Sequence, residues 1–237
     1  MFNKWKKNTV YISTMQIILL IVNFFLITII SRKYGAEIYG EYASAKSLSV
    51  LIGTVTVLSL ALVVTRTSAN MEEFNSSLFY TTYRVIIRNT FFAFALVIPL
   101  SNIFGRNFTY VFFFLLGFVF NEMLHVALAY HQSKGDFVIS SKQIIIRTVL
   151  YGLGGWTIVF LDYSIIWIIV FQAVILTLFF IVAHFSLPNT DRSSEGLHDK
   201  KELSSAGRKM VLTTFSAALL SELDIVILGI FYSGPIL

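Results

Sequence analysis

The chain has 237 residues, of which 56% are hydrophobic and only 13% charged, and its mean hydropathy is +0.76. A soluble domain carries about 25% charged residues, so this composition excludes a soluble globular protein and predicts an integral membrane protein. Basic cytoplasmic loops account for the net charge of +5, and we expect no nucleic-acid partner. There is no cysteine, which excludes disulfides and cysteine metal sites.

Six apolar runs are long enough to cross about 30 Å of hydrocarbon as helices, and a seventh is nearly complete. The first run follows three lysines and is too long for the core of a signal peptide, so we expect it to be a retained span. The fifth and sixth runs abut at Asp162 and Tyr163, which predicts a tight hairpin. The sequence therefore predicts an all-α, polytopic helical bundle, with spans at residues 9–30, 43–65, 85–103, 108–130, 144–161, 163–185 and 210–232.

The distribution of basic residues predicts the orientation of these spans. With the N-terminus in the cytoplasm, 14 of the 18 Lys and Arg residues fall on the cytoplasmic side. The remaining four, assigned to the outer side, are Arg32, Lys33, Lys46 and Arg106. Cytoplasmic loops carry an excess of Lys and Arg, so we expect a cytoplasmic N-terminus.

One long hydrophilic segment divides the chain. Residues 1–187 are predicted to form a first six-helix lobe, residues 188–206 a charged cytoplasmic linker, and residues 207–237 the seventh span. A shift of 201 residues places the first run on the seventh, with Lys7 on Arg208 and Asn23 on Asp224. Repeated halves are typical of transporters, and the sequence is expected to be the N-terminal part of a longer, two-lobe protein.

The first polar interruption, residues 31–49, contains two glycines among charged residues and tyrosines. Gly35 and Gly40 are five positions apart, and Arg32 precedes them. The segment predicts a tight interfacial turn between the first two spans, on the outer side of the membrane.

Ionisable residues within a span cost about 2.5–3.5 kcal/mol each on insertion scales and are functional candidates by default. Glu122 and His125 are three positions apart and share a helix face. We expect this face to line a cavity, where the two side chains pair or relay a proton. The alternative is a hydrogen bond between helices. Asp224 in the seventh run is the preferred cavity residue over Glu222.

Polar residues of the first run, Gln16 and Asn23, fit either a conduit wall or ordinary interhelical hydrogen bonds. Three arginines, Arg84, Arg88 and Arg147, are predicted near the cytoplasmic ends of spans three and five. They are candidates for binding a phosphate or diphosphate head group, with snorkelling anchors as the alternative. The glycines of the fifth run (Gly152, Gly154 and Gly155) are expected to allow close helix approach.

The sequence contains no Walker loop, no Gly-x-Ser-x-Gly and no His-Glu-x-x-His motif. It offers no large extramembrane domain for a conventional active site. We therefore expect neither an enzyme nor a cofactor or metal site.

Three short motifs resemble those of the polysaccharide transporters in the multidrug/oligosaccharidyl-lipid/polysaccharide exporter superfamily. The first turn is similar to their R-x-x-G-x-x-x-Y/F-G-x-Y/F pattern, and 223–231 to their L-D-x-x-x-L-G-x-F pattern. The turn at 131–137 also looks like theirs and precedes a helix with an arginine, Arg147. The matching residues are Arg32, Gly35, Tyr39, Gly40, Tyr42, Leu223, Asp224, Leu228, Gly229 and Phe231.

The resemblance implies two lobes around a central cavity and a flippase of the bacterial cytoplasmic membrane. Its substrate would be an undecaprenyl-diphosphate-linked oligosaccharide used for O-antigen (lipopolysaccharide), capsule or exopolysaccharide, and its partners the polymerase and glycosyltransferases of that pathway, besides membrane lipids. One alternative is a multidrug/cation antiporter of the same superfamily. Such a transporter requires an acidic cavity. Another is a membrane glycosyltransferase using a lipid-linked sugar, for which Glu37 and Glu41 are placed suitably but the outer loops are short.

Overall fold

The computed structural model describes residues 2–70, 76–103 and 107–188, and, further on, 205, 207, 210, 211, 213–222 and 225. Six helices form its main body, and the described residues contain no strand. Long apolar runs with few prolines favour helices because a helix satisfies its own backbone hydrogen bonds in hydrocarbon. The predicted all-α class is therefore confirmed. In chain order the helices are α1 (Phe2–Val57), α2 (Leu60–Ala69), α3 (Ser76–Ile103), α4 (Phe108–Ser133), α5 (Phe137–Phe160) and α6 (Ile166–Phe185).

Five helices of the described chain are long and apolar enough to cross a membrane: α1, α3, α4, α5 and α6. This number fits a multi-pass membrane protein. The helix α2 has only ten residues, too few to cross. Residues 213–222 form one more helical stretch, here called the C-terminal segment.

Gly35 divides α1 into a first arm (residues 2–34) and a second arm (36–57). Its φ of 85° and ψ of 169° are non-helical, and a positive φ is a conformation that glycine adopts readily. Leu19 and Val50 line the same cavity, although an unbroken helix would place them about 46 Å apart. The two arms therefore fold back on each other, as the predicted turn requires. Gly40 differs from the prediction, since it lies inside the helix of the second arm.

The predicted second span, 43–65, is not one continuous helix. Leu58 and Ser59 have left-handed φ values of 53° and 52° and separate the second arm from α2. Ser59 Oγ lies 2.6 Å from Thr214 Oγ1 of the C-terminal segment, and Gly207 lies against the carbonyl oxygen of Leu58. Contacts from outside the helix thus accompany a break that the hydropathy of the run does not reveal.

The helix α4 lies at the centre and contacts all the other helices of the body. Small residues let the neighbouring helices approach closely. Gly117 of α4 lies against Ala173 of α6, while Gly152 and Gly155 of α5 face Val22 and Leu26 of the first arm. The predicted role of the α5 glycines in close helix approach is confirmed.

Two contacts join the turn at Gly35 to the connection between α5 and α6; together they are called the turn clasp. Lys33 forms a salt bridge with Asp162, and the hydroxyl of Tyr34 donates a hydrogen bond of 2.6 Å to the carbonyl oxygen of Tyr163. The five-residue connection at 161–165, in which Asp162 has a φ of 60°, is the predicted tight hairpin. The clasp fixes one end of the first arm against α5 and α6.

Candidate substrate cavity

A cavity of about 220 Å³ lies between the two arms of α1 and the helices α4, α5 and α6. This volume is below the range of about 300–1,000 Å³ typical of pockets for small-molecule ligands, so the cavity has room for a small polar group rather than for a whole oligosaccharide. Polar and ionisable side chains make up about half of its lining. They are Asn23, Lys46, Ser49, Asn121, Arg147, Thr148, Tyr151 and Gln172.

Arg147 is held in the cavity wall by its neighbours on α4. Its Nη1 donates a hydrogen bond to Oδ1 of Asn121. The Nδ2 of Asn121 lies 3.4 Å from Oε1 of Glu122, a long hydrogen bond, and the carboxylate of Glu122 also attracts the guanidinium directly. Arg147 therefore has an acceptor and a nearby counter-charge within the protein.

Lys46 is the second cation of the cavity, and its surroundings differ. It extends from the second arm into the cavity and remains exposed there. No described carboxylate lies within salt-bridge distance of Lys46. This ammonium group is available to an anion that enters the cavity.

The C-terminal segment contacts the second arm next to Lys46. The hydroxyl of Ser47, the residue after Lys46, donates a 2.5 Å hydrogen bond to Oε2 of Glu222. Glu222 also exerts an electrostatic attraction on Lys46. With Ser59 paired to Thr214, the segment runs antiparallel to the second arm.

Tyr151 and Gln172 complete the wall. The hydroxyls of Tyr42 and Tyr151 lie 3.2 Å apart, which joins the second arm to α5. The Oε1 atom of Gln172 is buried and has no hydrogen-bond partner among the described residues. Since buried polar atoms are normally paired, this oxygen indicates a place for water or for a hydroxyl-rich ligand.

The structure brings together only some of the predicted site residues. Asn23 and Arg147 line the cavity. Glu122 lies behind Asn121, and His125 lies further along α4, close enough to Arg147 to interact electrostatically. Neither of these two is a lining residue.

The remaining candidates lie elsewhere. Gln16 is exposed on the first arm and does not line the cavity. Arg84 and Arg88 are exposed on α3, away from Arg147. Asp224 and Gly229 lie outside the described residues.

The motif residues of the first turn have structural positions. Arg32 is exposed beside the turn clasp, and Gly35 makes the turn. Tyr39 stacks on Tyr42, with ring centroids 6.3 Å apart, and Gly40 is exposed and helical. These residues shape the turn and do not line the cavity.

The predicted site residues include neither Lys46 nor Asn121. Lys46 was counted with the outer-side cations, yet it lies in the cavity beside Arg147. The available signal was its place within an otherwise apolar helical run, the same signal that singled out Glu122. Glu122 drew attention because it is charged, whereas its neighbour Asn121 is the residue that lines the cavity.

The site combines two cations with amide and hydroxyl groups inside an apolar bundle. No cluster of His, Asp or Glu suited to a metal ion occurs among the described residues. The ammonium, guanidinium, amide and hydroxyl donors of the cavity are of the kind that binds an oxyanion by charge-assisted hydrogen bonds. Comparisons with models of protein families, with curated proteins and with solved structures find no match for this chain.

Proposed function

We propose that the protein is a flippase, a transporter rather than an enzyme, for an undecaprenyl-diphosphate-linked oligosaccharide. It would act in the bacterial cytoplasmic membrane on repeat units for O-antigen, capsule or exopolysaccharide. The observation that carries the proposal is the pair of cations, Lys46 and Arg147, inside a polar cavity enclosed by apolar helices. The motifs of the turns at Gly35 and at 131–137 add the resemblance to polysaccharide transporters.

The charge of the cavity favours an anionic substrate. In a region of low effective dielectric constant, an ammonium and a guanidinium group attract a diphosphate far more strongly than in water. The same two charges oppose the entry of an organic cation, which argues against a multidrug/cation antiporter. The cavity is too small for an oligosaccharide, so the sugars would extend beyond it while the diphosphate binds Lys46.

The proposed topology counts each arm of α1 as a separate span. With the second arm and α2 as span two, the body has six spans, and the C-terminal segment belongs to a seventh that begins the second lobe. The positive-inside rule then places the N-terminus in the cytoplasm and the turn clasp outside. Substrate would move by alternating access as the lobes rock, a motion typical of transporters with repeated halves. The polymerase and glycosyltransferases of the pathway are the proposed partners.

The test is complementation in the bacterium that carries the chain, after deletion of its own copy. Restoring the gene is expected to restore surface polysaccharide, whereas Lys46→Gln and Arg147→Gln are expected to reduce it and to leave lipid-linked oligosaccharide in the inner leaflet. Arg66→Gln is the matched control because Arg66 is exposed on α2 and does not line the cavity. Undiminished surface polysaccharide after the deletion would rule out this function, and efflux of organic cations would favour the antiporter.

A further inference from the structure

The two cations of the cavity interact electrostatically with carboxylates from different parts of the chain. The partners of Arg147 are Asn121 and Glu122 of the neighbouring helix α4, which belongs to the body, as α5 does. The carboxylate that attracts Lys46 is Glu222, which belongs to the C-terminal segment and not to the body. An anion bound in the cavity is therefore expected to affect the contact between the body and the C-terminal segment.

Glu222 is held in a defined position against Ser47, the residue that follows Lys46. The hydroxyl of Ser47 donates to its Oε2 at 2.5 Å. About two helical turns earlier, the hydroxyl of Thr214 lies 2.6 Å from that of Ser59. These two contacts, with Gly207 against Leu58, attach the C-terminal segment along the second arm. The carboxylate of Glu222 is thus a structural contact of the second arm, bound to the residue that follows Lys46.

We infer that Glu222 is the internal counter-anion of Lys46, and that an anionic substrate displaces it and so weakens the contact of the C-terminal segment with the second arm. The inference rests on the proposed function. A carboxylate and a phosphate beside one ammonium group repel each other, and the repulsion is large where the effective dielectric constant is low. Substrate and Glu222 therefore compete for Lys46.

The competition couples the site to the C-terminal segment. Linkage requires that if the substrate weakens the contact of the segment, the contact weakens substrate binding by the same factor. The other charged or titratable groups described around the site are Arg147, Glu122, His125, Tyr151 and Tyr42. Asp224 lies outside the described residues. Glu222 differs from Glu122 in its location, because it belongs to the C-terminal segment, whose contact with the second arm the substrate would weaken, whereas Glu122 belongs to the body.

The first experiment measures binding of inorganic pyrophosphate to the purified full chain in lipid nanodiscs. Glu222→Gln keeps an acceptor for Ser47 but removes the charge, and it is expected to tighten binding at least about fivefold, the low end of measured couplings between sites. The same substitution in a Lys46→Gln background is expected to have no effect. Glu37→Gln, on the exposed turn, is the control for a general change in charge and is expected to leave binding unchanged.

The second experiment follows the contact itself by disulfide formation, which the absence of native cysteines makes unambiguous. A Ser59→Cys/Thr214→Cys pair leaves Lys46 and Glu222 in place. Pyrophosphate is expected to slow its oxidation in the chain with Glu222 and to have no effect once Glu222→Gln is added. A Lys33→Cys/Asp162→Cys pair at the turn clasp is the control and is expected to be insensitive to pyrophosphate.

The outcomes separate this inference from the proposed function. Pyrophosphate binding that Glu222→Gln leaves unchanged or weakens would overturn the role of Glu222 and leave the anion site intact. Tightening that persists in the Lys46→Gln background would overturn the competition. If the wild-type chain binds no pyrophosphate, both the inference and the anion site fail, whereas normal export by Lys46→Gln and Arg147→Gln cells contradicts only the proposed function.

Discussion

Arg147 of α5 donates a hydrogen bond to the side-chain carbonyl of Asn121 on α4, and this contact supports one side of the cavity. The two helices approach each other here with a guanidinium group and an amide between them, inside an otherwise apolar bundle. A charged group in such a place needs acceptors, because a buried charge without them is costly. Asn121 is therefore a positioning residue for Arg147.

Asn121→Ala is expected to destabilise the protein by about 1.5–3 kcal/mol, the range for hydrogen bonds to charged groups. The physical reason is that Arg147 loses its neutral acceptor and keeps only the more distant attraction of Glu122. Asn121→Asp retains an acceptor at the same atom and is expected to fold with little loss. Thermal unfolding of the detergent-solubilised variants measures the difference, and equal melting temperatures for Asn121→Ala and the wild type would contradict the role assigned to Asn121.

Gly35 and Gly40 are expected to respond in opposite directions to alanine. Gly35 has a φ of 85° and a ψ of 169°. This region is essentially restricted to glycine and costs other residues about 1–3 kcal/mol, so Gly35→Ala should destabilise by that amount. Gly40 is helical, exposed and has no neighbour near its missing Cβ, so Gly40→Ala should stabilise by about 0.5–1 kcal/mol. Thermal unfolding of both variants checks the pair. A turn centred on Gly40 would reverse the two signs.

The turn clasp is expected to contribute little through its salt bridge. Lys33 and Asp162 are both substantially exposed, and exposed ion pairs contribute about 0–1 kcal/mol. Asp162→Asn removes the charge yet tolerates the left-handed φ of 60°, so its melting temperature should fall slightly at low salt and match the wild type at high salt. An equally large loss at both salt concentrations would mean that the charge is not the cause.

The helices were predictable because their apolar runs are long and charged residues end them. The turn at Gly35 was predictable because glycine lies among polar residues at the first such interruption. The break at Leu58 and Ser59 was not, since its residue types occur throughout apolar helices and its partner, Thr214, is distant in the chain. The boundary placed near Lys46 followed charge alone, but the second arm continues as a helix from 36 to 57 on both sides of that residue.

The cavity was harder to predict than the helices because it depends on how they are rotated against one another. Asn23, Lys46, Asn121, Arg147 and Gln172 come from five separate segments and meet only after the helices have packed. Neighbouring residues such as Asn121 and Glu122 differ by about 100° around the helix, so a small rotation decides which one lines the cavity. Identifying the residues that form the cavity therefore required the structure, whereas the presence of polar groups in the spans could be predicted from the sequence.

The proposed orientation is testable with single cysteines, since the chain has none of its own. Glu37→Cys, on the exposed turn near Gly35, is expected to react with a membrane-impermeant maleimide in intact cells with a permeabilised outer envelope. Lys134→Cys, in the exposed turn between α4 and α5, is expected to react only after the cytoplasmic membrane is opened. The reverse pattern would place the N-terminus outside and would contradict the count of basic residues.

Gly152 of α5 and Val22 of the first arm are expected to show a strong energetic coupling. A Cβ on Gly152 would collide with Cγ1 of Val22, and overpacking of this kind costs about 1–3 kcal/mol. Gly152→Ala should therefore destabilise the protein, although alanine is otherwise the better helix former. Val22→Ala removes the colliding methyl group and should recover most of the loss when the two changes are combined, because the effects of substitutions at contacting residues are not additive.

Thermal unfolding of the two single variants and the double variant gives the coupling energy between Gly152 and Val22. Leu153→Ala, at an exposed position of the same helix, is the control that should not couple to Val22→Ala, and an additive result for Gly152 and Val22 would show that the first arm and α5 are not in contact at this point.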